Sequence, residues 1–153
     1  MKSDSNKVFD FVNHGLEIDK LIRSSFNDSQ MSNAKWKKLF VLLAEQFPQV
    51  YAIWKFVGAN NDGVALLGSP KTGELEETYI NHRFWLGPRY YKEIQWITFP
   101  RVIRKSGYEK VPSRNSSQDT DLILSELKKV GYWPVAETND GFTIFGHRFT
   151  PRT

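Results

Sequence analysis

The chain contains no cysteine, which excludes disulfide frameworks, thiolate zinc sites, iron–sulfur clusters and cysteine nucleophiles together. Histidine is scarce: His14, His82 and His147 are the only three. They stand far apart and belong to no metal-binding motif, so no metal site and no other cofactor is expected. Apolar runs such as Phe40–Ala44 fall far short of the roughly 20 residues that span a bilayer. The opening stretch Met1–Lys7 is polar and charged, unlike the apolar core and small-residue cleavage site of a secretion signal. These absences point to a cytoplasmic address and to no membrane partner. Catalytic signatures are missing as well, with no Gly-x-Ser-x-Gly elbow anywhere. The glycines of Gly63-Val64-Ala65-Leu66-Leu67-Gly68-Ser69 imitate a phosphate-binding loop, but the lysine that must follow the second glycine is absent. A hairpin strand between two turns explains that stretch better.

Aromatic residues, in contrast, are plentiful: 5 Trp, 6 Tyr and 11 Phe in 153 residues. A chain this long buries about 70% of the surface its unfolded form exposes, and such rings supply a large core. Their spacing changes period along the chain. Val8 to Phe26 reads at three- and four-residue intervals, as one or two short helices interrupted near Gly15. Ser32 then precedes a run in which Trp36, Leu39, Phe40, Leu43 and Phe47 trace one helical face, and Pro48 marks the stop. From Val50 the period becomes two, and Val50–Val57 should pair with Val64–Leu67 across the turn Asn60-Asn61-Asp62-Gly63. Glu76–Ile80 and Tyr90–Phe99 read as further strands, the latter the longest. Residues 101–118 show no clear period and read as a long connection. Asp119 or Thr120 should cap a helix that ends at Gly131. A last hairpin, Trp133–Thr138 with Phe142–Phe149, turns at Asn139-Asp140-Gly141. The order implies an α+β domain: a mainly antiparallel sheet of about five to six strands, with two to three helices packed on one face. Residues 1–31 read as an N-terminal helical extension and 32–153 as the single domain.

The net charge of +4 is unevenly placed, because residues 81–114 hold eight basic and two acidic side chains while the rest nearly balances. This stretch interleaves cations with aromatics. Arg83, Trp85, Arg89, Tyr90, Lys92, Arg101, Arg104 and Lys105 are the candidate partner-binding residues. Rings with arginines are the composition of a protein–protein hot spot. The same residues could stack bases and hold phosphates, so a nucleic-acid-binding regulator is the alternative reading. Glu74, Glu76 and Glu77 form the one carboxylate cluster; an edge strand protected by charge explains it more simply than acid–base chemistry. Glu93 would need a partner such as an arginine if its strand turned it inward, though Lys92 and Glu93 facing water on alternate sides is the simpler expectation. No catalytic residue is assigned.

Three segments, Asn33–Phe40, Tyr91–Ile97 and Ile144–Arg148, together resemble a family of small uncharacterised bacterial single-domain proteins. The likeness covers about residues 32–149. These proteins are similar in type to immunity proteins that neutralise toxins exchanged between competing bacteria. What the resemblance implies is a non-catalytic domain that binds a cognate toxin directly.

Overall fold

A computed structural model describes residues 10–58, 64–82, 88–105 and 114–148, with the side chains of 104, 105, 114 and 115 outside that description. The first helix, α1 (Phe11–Ser25), starts where the Asp10 carboxylate accepts from the Asn13 amide at 3.1 Å. It runs unbroken through Gly15, so the expected interruption there is absent. Gly15 serves a close approach instead: a Cβ at that position would lie 2.9 Å from the Tyr90 ring. A two-residue strand, β1 (Asp28–Ser29), leads to α2 (Asn33–Gln46). Ser32 caps α2 through the Lys35 amide (3.1 Å), as its sequence position predicts.

The main sheet comprises β2 (Tyr51–Phe56), β3 (Val64–Gly68), β6 (Ile94–Pro100), β9 (Val135–Thr138) and β10 (Gly141–Phe145). Its order is β3-β2-β6-β10-β9, antiparallel throughout. Register aligns Trp54 with Ile97 and Ile97 with Ile144, which places these buried side chains in one row on one face. Helix α2 covers that face, with Phe40 stacked on Trp54 at 5.2 Å and on Tyr91 at 6.2 Å. Helix α3 (Thr120–Val130) joins the same core through Ile123, Leu124 and Leu127. The architecture is therefore α+β, with helices on one face of an antiparallel sheet. Full burial of each such large apolar side chain is worth about 1.5–3 kcal/mol.

Three expectations need correction. The segment Tyr90–Phe99 is not one strand. Arg89–Tyr90 forms β5, paired with β4 (Tyr79–Ile80), and a 3-10 turn over Tyr91–Glu93 separates it from β6. Glu93 makes that break by turning its carboxylate back onto the Tyr90 amide at 2.9 Å. Only Tyr79–Ile80 of the expected strand 76–80 is extended into a ladder, because the chain turns over 76–79, where the Glu76 amide donates to the Tyr79 carbonyl at 2.9 Å and Leu75 bridges back to Ile80; the Tyr91 hydroxyl donates to the Glu76 carbonyl (2.8 Å). Residues 101–118 are not a structureless connection, since β7 (Val102–Lys105) and β8 (Arg114–Ser117) pair in register and Ile103 is buried. The expected turn at residues 60–63 lies outside the described residues.

A further pairing was not legible in advance. β1 pairs antiparallel with β11 (His147–Arg148), and Gln30 donates its amide to the Gly146 carbonyl at 2.8 Å. The segment before α2 is thereby tied to the end of the described chain.

Candidate functional site

The 3-10 turn at Tyr91–Glu93 holds the only acidic side chain that the described structure buries completely, Glu93, with 0% exposure. A carboxylate removed from water costs several kcal/mol unless it is paired and hydrogen-bonded. Glu93 has three donors. The Tyr90 amide and Arg89 Nη1 approach at 2.9 and 3.2 Å, and His14 Nε2, from α1, lies 2.9 Å from Oε1. Arg89 also sits over the Phe56 ring at 4.5 Å. Glu93 does not face water, as the simpler expectation had it; it is buried with the arginine that an inward charge needs, and a histidine from another element joins it.

Around this anion α1 grips the turn by its ends. The Phe11 ring lies flat on Tyr90, with centroids 3.8 Å apart and planes within 4°. The Tyr90 hydroxyl donates to the Phe11 carbonyl at 3.0 Å. Burial, and then the nearby Glu93 charge, push the Tyr90 phenol above its ordinary range. Asp19, two turns further along α1, pairs with Lys92 at 3.0 Å. The candidate residues Arg89, Tyr90 and Lys92 are thus gathered at one place, and α1 contacts Tyr90 and Lys92 directly and shares the Glu93 carboxylate with Arg89.

Arg101 is elsewhere. β6 separates the two basic groups by its seven residues, a span of about 23 Å at strand rise. There the Arg101 guanidinium makes two hydrogen bonds to Asp121, at 3.1 and 3.3 Å, and one to the Asn139 carbonyl at 3.0 Å. That contact raises its pKa, chiefly through the hydrogen bond to Asp121. Arg104 and Lys105 belong to β7, with side chains outside the described residues, and Arg83 and Trp85 lie outside them entirely. Among the described side chains, the basic residues of this stretch therefore fall into two groups at opposite ends of a strand.

At the Arg101 end a cavity of about 810 Å³ opens among Phe47, Tyr51, Ile103, Gln118 and Leu122. Gln118, one of its lining residues, acts as a strand partner: its side-chain amide donates to the Tyr51 and Pro100 carbonyls, both at 2.8 Å, and accepts from the Tyr51 backbone amide at 3.1 Å. Of Glu74, Glu76, Glu77 and Glu93, Glu77 lines a second cavity, beside Lys37, its ion-pair partner at 3.2 Å. Among the described residues no group of three metal-ligating side chains gathers.

Comparison with known proteins adds no relative. No family model, curated protein or solved structure matches the chain.

What the site can do follows from its electrostatics. Arg89, Lys92 and Arg101 each carry an internal counter-ion, in Glu93, Asp19 and Asp121. Exposed apolar side chains occur on several elements, Val12 and Leu16 of α1, Val102 of β7 and Leu122 of α3 among them; on β3, an edge strand without a charged residue, they are Val64 and Leu66, which point outward. The opposite edge, β9, carries Glu137 paired with Lys128 at 3.3 Å. Natural sheets guard exposed edges with charge. β3 has no such guard, and no periodicity argument singles it out in advance because it reads as an ordinary hairpin strand.

Proposed function

We propose that this chain is a non-catalytic protein-binding domain that acts in the bacterial cytoplasm as an immunity protein, neutralising a cognate toxin by direct contact. The observation that carries the choice of a protein over a nucleic acid is the internal neutralisation of Arg89, Lys92 and Arg101. A phosphate would have to displace a carboxylate from each, and counter-ion release, the main source of nucleic-acid affinity, would be lost. A protein partner instead gains from the uncharged β3 edge, whose outer ladder side has no strand partner among the described residues, and from the outward Val64 and Leu66. Among the described residues no helix is long and apolar enough to cross a membrane, in keeping with action away from the bilayer.

The test is a salt-resolved capture from the native host, followed by co-expression of the captured protein with this chain. Relief of that protein's toxicity, abolished by Leu66→Asp and retained by Arg101→Glu, is the expected result. Steeply salt-dependent binding of a labelled single-stranded RNA, with no protein retained, would overturn the reading in favour of the nucleic-acid regulator.

A further inference from the structure

The β1–β11 ladder sets Ser29 directly opposite His147. Side chains directly across an antiparallel pair share a face and touch, and here Ser29 Oγ lies 2.8 Å from His147 Nδ1. The other ring nitrogen, Nε2, lies 2.7 Å from the Lys92 carbonyl oxygen. A carbonyl can only accept, so Nε2 carries the proton, Nδ1 presents its lone pair, and the Ser29 hydroxyl donates to it. One tautomer and one direction of hydrogen bonding satisfy all three groups. Gly146 makes the placement possible: a Cβ there would collide with the Ile94 carbonyl, so only glycine lets this segment run against β6.

We propose that Ser29 is a nucleophilic site for activated carboxylic esters, its hydroxyl deprotonated by His147 as it attacks. The pair has the division of exposure that such chemistry requires. The imidazole is 5% exposed and the serine is open to solvent, so the base is shielded while the reacting oxygen is reachable. Burial lowers the pKa of His147 below its ordinary value, partly offset by the Lys92 carbonyl, which keeps the ring in its base form at neutral pH. The orienting carbonyl belongs to the same 3-10 turn that Glu93 locks in place. Ser29, the Lys92 carbonyl and the Phe26 ring (centroid 5.6 Å) face the imidazole. The charged pair next in the ladder, Asp28 and Arg148, alternates to the opposite face.

The reaction balances without a further reactant. Ser29 Oγ forms a bond to the ester carbonyl carbon, and its proton passes to His147 Nδ1. The imidazolium so formed keeps its Nε2–H donated to Lys92. Collapse of the tetrahedral adduct breaks the bond to the alkoxy leaving group, which takes the proton from Nδ1 and departs as an alcohol. The product is an ester on Ser29 with His147 restored. Neither cavity described above is lined by Ser29 or His147.

The inference is independent of the toxin-binding reading and is tested on the full chain alone. The probes are p-nitrophenyl acetate and a fluorophosphonate, with adducts located by peptide mass mapping. A single adduct on Ser29 is expected, formed at least about 100-fold faster than on the exposed Ser24 or Ser125, the gain a positioned base supplies. Ser29→Ala, an exposed position, should leave the fold intact and abolish it. His147→Gln should retain the near-ultraviolet circular dichroism of the native chain and label slowly. Should that variant not fold, the pH dependence of wild-type labelling decides. A rate that levels off above about pH 6.5, the ordinary histidine value, supports the base, whereas one that climbs with hydroxide throughout overturns it. Labelling of Ser29 no faster than of Ser24 and Ser125 would also overturn it.

Discussion

Helices α1 and α2 are nearly the same length, 15 and 14 residues, and each starts on a side-chain cap, Asp10 for one and Ser32 for the other. Their attachment differs. α2 buries Trp36, Leu39, Phe40, Leu42 and Leu43 in the main core, while α1 buries only Gly15 and Ile18 and turns Val12 and Leu16 to solvent, 69% and 55% exposed. What α1 lacks in apolar burial it replaces with directed contacts to one turn: Phe11 on Tyr90, His14 on Glu93, Asp19 on Lys92. Local signals make both helices; what the rest of the fold presents to them decides how each is held.

The contacts of α2 are the costlier to lose. Phe40→Ala removes the ring that stacks on Trp36, Trp54 and Tyr91 and should cost about 3–5 kcal/mol, read as a lower urea midpoint at unchanged slope. Glu93→Gln acts on the α1 side. It keeps the shape but removes the charge that Arg89 and His14 face, and should cost about 2–3 kcal/mol, with hydrogen exchange of the α1 amides accelerating more than that of α2. A smaller loss, about 1–2 kcal/mol, is expected for Gly15→Ala, whose methyl would press on the Tyr90 ring at 2.9 Å. Its diagnostic is again exchange: α1 loses protection and α2 does not. Leu16→Gln, on the outward face of α1, should stay within about 0.5 kcal/mol of wild type in the same denaturation experiment.

Alkaline titration sharpens the contrast in another way. Tyr91, beneath α2, is pushed up to about 12, by burial and then by Glu76 and Glu77, and Tyr90, beneath α1, is also raised. Phenols whose folded pKa exceeds the unfolded value stabilise the fold fully below about pH 10, and that contribution is lost as pH rises through the folded value. Phenolate absorbance in Gly15→Ala should therefore appear at lower pH for Tyr90 while Tyr91 holds. A common shift of both phenols would mean that the two helices are held as one unit.

Much of this was legible before any fold was known. The start of α2 at Ser32, its apolar face, the cap at Asp119 and the hairpin about Asp140-Gly141 all follow from neighbours in the chain. The hairpin β7–β8 was not, because its second strand is Arg-Asn-Ser-Ser, which carries no apolar alternation; pairing with Val102 and Ile103 makes it a strand. Arg89, Tyr90 and Lys92 stood out by composition, yet their roles could not be read. The Tyr90 hydroxyl ends on a carbonyl 79 positions away, and Ser29 meets His147 across 118.

The amino-acid sequence by itself determined the helices with caps, the change from helical to strand period, the α+β class and the chemical oddity of the 81–114 stretch, since each depends on groups within a few residues of one another. Tertiary structure alone decided that Glu93 is buried among His14 and Arg89, that Arg101 spends its charge on Asp121, and that β3 rather than β9 is the unguarded edge. The reason is physical. Burial, ion pairing and edge position are properties of contacts between distant segments, and no local pattern records which distant segment will arrive.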